Sequence, residues 1–294
     1  MMKLASVSVI LAVLVIISLF GILADGTITY GVFRFIKLKT VPNILLANWA
    51  IAHMISAIIL PLNVLMNVFL TISENHIANC LSIHATITSY LVALWFCIVL
   101  CIDWCSTAYF FPLSKKIREH YKFAISFIWL NAVPLYVTSA GSCVGYSTDL
   151  LPTVLVIISF IINLLFVLIL HCSKLVQRFR VNPINYSRSL KVQLMMITTI
   201  LCSYLVAIIS SALALSDVYS ITDNYLRAGV CLLLSISAIQ GTPVIILGIL
   251  YFLDRDFRRC LFPNHAHKSC DDLESENVNH NENLTSTATS STSV

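Results

Sequence analysis

A chain of 294 residues that is 58% hydrophobic, only 11% charged and of mean hydropathy +0.88 lies far from the composition of a soluble domain. Its net charge of +4 does not point to nucleic acid, because the basic residues are spread over four separate segments and suit lipid headgroups better.

Seven apolar stretches follow one another, at about 5–32, 42–70, 80–110, 123–141, 151–172, 190–215 and 227–253. Each is near or above the roughly 20 residues that cross about 30 Å of hydrocarbon as a helix, and these lengths exclude the strands of a closed barrel. The predicted fold class is an all-α membrane protein, a seven-transmembrane helix bundle followed by a short amphipathic eighth helix. The first stretch begins almost at Met1, but its apolar core, Leu4 to Leu23, exceeds the roughly 7–15 residues of a signal peptide and is expected to stay as a helix. Residues 1–262 are thus one membrane domain. Residues 263–294, rich in Asn, Ser, Thr, Asp and Glu, cannot bury enough apolar surface to fold and are expected to be a disordered tail.

Of the 18 Lys and Arg residues, 16 fall on one side of these spans. That side holds Arg34, Lys37 and Lys39; Lys115, Lys116, Arg118 and Lys122; Lys174, Arg178, Arg180, Arg188 and Lys191; and Arg255, Arg258, Arg259 and Lys268. Only Lys3 and Arg227 lie opposite. Basic loops stay on the cytoplasmic side during insertion, so the N-terminus is expected outside and the C-terminus in the cytoplasm. Asn185 and Asn283, both in glycosylation sequons, then lie inside and are expected to be unused.

Of ten cysteines, only Cys80 and Cys143 sit where an oxidising exterior reaches them, which predicts a disulfide between them; the alternative is two free thiols. Cys97, Cys101, Cys105, Cys172, Cys202 and Cys231 read as small packing residues, and Cys101 and Cys105 lack a nearby His for a metal. No phosphate-cradling Gly loop, His-Glu-x-x-His, Gly-x-Ser-x-Gly or paired intramembrane carboxylates occur, so neither catalysis nor a cofactor is expected. The segment Asp254 to Phe262 alternates apolar and basic groups like a helix lying on a membrane surface, with Cys260 a candidate for palmitoylation. In the tail, Thr285, Ser286, Thr287 and Thr289 to Ser293 would form an acidic cluster if phosphorylated. The C-terminus Thr292-Ser293-Val294 fits a ligand for a PDZ domain.

Several linked positions make the chain resemble the rhodopsin-like family of G-protein-coupled receptors over nearly the whole seven-helix region. Thr40, Asn43 and Asn48 match the entry to the family's second helix, Cys80 and Cys143 its disulfide, Ala108 and Pro112 its second cytoplasmic loop, Trp129 its fourth helix, and Phe257-Arg258-Arg259 its eighth. The resemblance implies a plasma-membrane receptor for an extracellular ligand, with G protein and arrestin as cytoplasmic partners. It also exposes departures. Where the family closes its third helix with Asp-Arg-Tyr, this chain has Asp103, Trp104, Cys105 and Ser106, so the arginine that meets a transducer is missing in either register. Pro243 stands without the family's Asn and Tyr around it, and the sixth span lacks a proline, which predicts a straighter helix there.

The family's first-helix Asn aligns with Asp25 and its second-helix Asp with His53. A contact between the two would accommodate both; the alternative is a neutral His53 on a backbone carbonyl and Asp25 facing water. Leu94 replaces the family's sodium-site serine and, with His53, argues against sodium. Ile87 stands where amine receptors carry Asp, which argues against an amine ligand, and the absence of lysine after Arg227 in the last span excludes retinal. The resemblance places His84, Ile87, Thr88 and Leu91 on the ligand cavity.

Overall fold

A computed structural model describes residues 2–69, 76–109, 111–144, 151–178, 187–219 and 225–261. Expectations on the tail, including Thr292, Val294 and Asn283, and on Asn185, lie outside these residues. The described chain is helical, with no strand among its residues: α1 Met2–Arg34, a 3-10 turn Ile36–Leu38, α2 Val41–Phe69, α3 His76–Tyr109, α4 Phe111–Glu119, α5 Tyr121–Val144, α6 Leu151–Arg178, α7 Arg188–Tyr219, α8 Tyr225–Gln240, α9 Thr242–Leu253 and α10 Arg255–Leu261.

Among the described residues, seven stretches are long and apolar enough to cross a membrane, from Ala12–Arg34 to Leu233–Leu253. Their outward faces remain apolar, with Phe20, Leu23, Phe123, Leu130, Ile169 and Phe252 exposed, which suits hydrocarbon and not water. The chain is a multi-pass membrane protein. α3 lies at the centre, packed against α2, α5, α6 and α7, while α1 closes the ring against α2, α8 and α9.

Lipid tails are as apolar as these side chains, so burial alone gives little drive for helix to meet helix; close packing and interhelical hydrogen bonds must do it, the latter averaging about 0.6 kcal/mol each. Polar side chains supply such bonds between several of these helices. Trp95 Nε1 donates to Ser159 Oγ at 3.2 Å, and Asn163 Nδ2 to the Leu94 carbonyl at 3.1 Å, joining α3 to α6. Trp129 Nε1 donates to Asn48 Oδ1 at 3.1 Å between α5 and α2, beside the fully buried Phe96. Gly21 lets α1 approach α8 closely, since a Cβ there would stand 2.6 Å from the Gln240 carbonyl oxygen.

The sixth and last spans differ in proline content; Pro61 and Pro134 are carried inside α2 and α5 without ending them, whereas Pro243 follows Gly241 at a break in the last span. α7 contains no proline and runs unbroken for 32 residues. The last span, expected as one helix over 227–253, is instead two, α8 and α9, divided at Gly241 with Pro243 in the first turn of α9. Proline cannot donate to the carbonyl four residues earlier and its ring crowds that carbonyl, so the ladder is interrupted at Ile239. At the far end, Asp254 Oδ1 caps α10 by accepting from the Asp256 and Phe257 amides at 2.9 and 3.1 Å. Phe257 turns into the bundle and Arg258 and Arg259 turn out, and Lys37 pairs with Asp256 at 3.0 Å.

Candidate functional site

Charged and polar groups inside a membrane bundle are costly unless partnered, so their partners mark where sequence and function meet. The described residues hold three such groups, one at each end of the bundle and one in its middle.

In the middle, α1 and α2 bring Asp25 and His53 together. His53 Nδ1 lies 2.7 Å from Asp25 Oδ2, with both side chains fully buried. The other ring nitrogen, Nε2, lies 3.1 Å from the Ile239 carbonyl oxygen, which is the carbonyl that Pro243 leaves without its helical partner. A carbonyl only accepts, so Nε2 carries a proton. The bond between Nδ1 and Oδ2 then holds one more proton, resting on either atom, and the pair is neutral as a whole. Trp49, one turn before His53, stacks on its ring at 5.5 Å and fixes its plane. Both environments expected for His53 as alternatives, a carboxylate and a backbone carbonyl, are therefore present at once. Asp25 Oδ1 and both amide atoms of Gln240, next to Ile239, are buried with no hydrogen-bond partner among the described residues.

At the end of the bundle that carries α10, Asp103 is buried on α3 and meets an arginine that comes from α4 and not from its own helix. Arg118 Nε donates to Asp103 Oδ1 at 2.8 Å and Nη2 to Oδ2 at 3.1 Å, a two-pronged pair, while Nη2 also donates to Thr107 Oγ1 at 2.9 Å. Gln193 of α7 donates to Asp103 Oδ2 at 3.3 Å and to the Leu100 carbonyl at 3.2 Å. Trp104 is buried, its indole N–H donating to the Leu190 carbonyl of α7 at 2.7 Å. Of the three residues expected on a transducer face, Asp103 and Trp104 are thus turned inward and Cys105 is half-buried. Sequence reading did not single out Arg118. The signal for it was a carboxylate in an apolar span that required a cation, with one arginine in the short segment that follows. Arg188 Nε likewise ties α7 to the last carbonyl of α9, Leu253, at 2.8 Å.

At the opposite end, Cys80 and Cys143 form a disulfide that joins α3 to α5. His84 follows one turn after Cys80, and its ring lies within 4.8 Å of both sulfurs; tied in a disulfide, the sulfurs offer no thiolate to a metal. His84 Nδ1 and Thr88 Oγ1 are buried without a hydrogen-bond partner among the described residues, and Leu91 is fully buried below them. Ile87 is half-buried. His84 and Thr88 are thus brought together as a polar pair near the disulfide, and Leu91 belongs to the packing beneath it. Cys260, expected as an acylation site, is buried on the inner side of α10.

A cavity of about 550 Å³ lies elsewhere, along α7 between α6 and the junction of α8 with α9. The sequence matches no protein-family model and none of the curated proteins.

Proposed function

We propose that this chain is a receptor-like seven-helix protein of the plasma membrane, related to the rhodopsin-like G-protein-coupled receptors, that binds an extracellular ligand and signals to cytoplasmic transducers. The basic loops would face the cytoplasm, meeting a G protein or arrestin, and the tail a PDZ-domain protein. The observation that carries this reading is the two-pronged bond of Arg118 to Asp103. A guanidinium sits at the cytoplasmic mouth of α3 although the triplet arginine is missing, and it is held by the segment that follows, so a partner binding that segment would act directly on α3. His84 and Thr88, with unpartnered polar atoms beside the disulfide, are the groups proposed to meet a ligand.

A second reading, a scaffold of receptor ancestry that does not activate G protein, is favoured by Trp104 and Gln193, both of which tie α3 to α7. Ligand-free G-protein dissociation in cells, at matched surface expression, separates the two. Activity in the native chain that is lost in Arg118→Gln supports the receptor reading. Silence in the native chain, with activity gained in Cys105→Arg, supports the scaffold.

A further inference from the structure

The cavity along α7 follows one stripe of that helix. Lys191, Met195, Cys202 and Val206 recur at helical spacing and are all exposed, so the groove opens toward the surrounding membrane and not toward the bundle interior. Its far wall is open because Ser237, Ala238 and Gly241 are small where α8 gives way to α9. The hydroxyls of Thr198, Thr199 and Ser203 donate back to carbonyls of their own helix at 2.8, 2.9 and 3.0 Å, which leaves the deep part of the groove with little to offer but apolar contact.

The other end is different. Lys174 closes its span, Val154–Lys174, and Lys191 lies just inside the start of Arg188–Leu213, so both stand where the hydrocarbon ends. Neither has an ion-pair partner among the described residues, and both line the same cavity. Between them and the apolar half, His171 Nε2 bonds Thr198 Oγ1 at 3.0 Å, bridging α6 to α7 across the groove floor. Two unneutralised cations at headgroup depth above an apolar channel complement one molecule in particular, with an anionic head and a hydrocarbon tail at a fixed spacing.

We infer that this groove is a binding site for an anionic glycerophospholipid, whose phosphate and headgroup carboxylate lie between Lys174 and Lys191 and whose acyl chain runs along Met195, Cys202 and Val206. The occupant touches α6, α7 and α9, so it would bias how α7 packs against its neighbours, independently of what the extracellular end binds.

Native mass spectrometry of the purified full-length protein, released from micelles holding equal phosphatidylserine and phosphatidylcholine, tests this. Retained lipid is expected to be mainly phosphatidylserine. Lys174→Gln with Lys191→Gln is expected to lower its retention about twenty-five-fold, at about fivefold per lysine; either single variant serves if the pair does not fold. Val206→Trp, which fills the chain half of the groove, is expected to lower it as well. Lys115→Gln with Lys116→Gln removes the same charge from α4 and is expected to leave it unchanged. The inference is overturned if the two lipids are retained equally, if the preference survives loss of Lys174 and Lys191, if Val206→Trp has no effect, or if the α4 variant loses the preference to the same degree.

Discussion

The Ile239 carbonyl accepts the Nε2–H of His53 at 3.1 Å, and it is free to do so because Pro243 has no N–H to offer it. Two separate liabilities, an interrupted helix and a buried imidazole, thereby satisfy each other. Pro243→Ala restores a competing donor four residues on. His53→Ala is therefore expected to cost less in a Pro243→Ala background than in the native chain, by about 1 kcal/mol. Thermal unfolding in detergent measures both; an equal cost in the two backgrounds would mean that the carbonyl is not shared.

The 2.7 Å contact between His53 and Asp25 makes a further cycle informative. Removing one member of a buried pair leaves the other without compensation, which costs about 3–5 kcal/mol. Asp25→Asn and His53→Ala are each expected to reduce surface expression sharply, and the double change to lose no more than the worse single one, with a coupling of about 1–3 kcal/mol. Additive losses would sink the pairing.

Asp103 is buried while Arg118 is about a third exposed, so the two ends of their pair are not equivalent. Arg118→Ala strands a carboxylate on α3 and is expected to lower stability by about 1.5–3 kcal/mol, the range for hydrogen bonds to charged groups. Asp103→Asn removes the charge but keeps an acceptor for Gln193, and is expected to recover part of the loss when combined with Arg118→Ala. Unfolding midpoints of the three variants check this, and a double variant no better than Arg118→Ala alone would argue that the pair is not coupled.

Gly21 and Gly26 share one helix but not one environment. A Cβ at Gly21 meets backbone of α8 at 2.6 Å, which no side-chain movement relieves, whereas at Gly26 nothing lies within 4 Å. Gly21→Ala is expected to destabilise by about 1–3 kcal/mol as an overpacked contact. Gly26→Ala is expected to be neutral or stabilising by up to about 1 kcal/mol, the helix preference of Ala over Gly. Thermal shifts of equal sign and size would overturn the close approach of α1 to α8.

The seven spans, the amphipathic α10 and the Cys80 to Cys143 bridge were legible in the chain itself. Each depends on a property that is local or periodic: an apolar run long enough to cross hydrocarbon, an alternation of apolar and basic groups, two thiols at the same end of the spans. The charges of Asp25, His53 and Asp103 could likewise be seen to need partners, because an ionisable group in a span must find one. What the chain alone does not determine is who the partners are. Ile239 offers His53 a backbone atom, invisible to any residue pattern, from 186 positions away. Arg118 reaches Asp103 only because α4 folds back beneath α3, and Lys174 and Lys191 share a groove only because α6 and α7 stand side by side. Burial and spacing along one helix follow from composition and a fixed geometric period, whereas contacts between helices depend on the rotation and offset of each helix in the bundle, which packing of the whole decides.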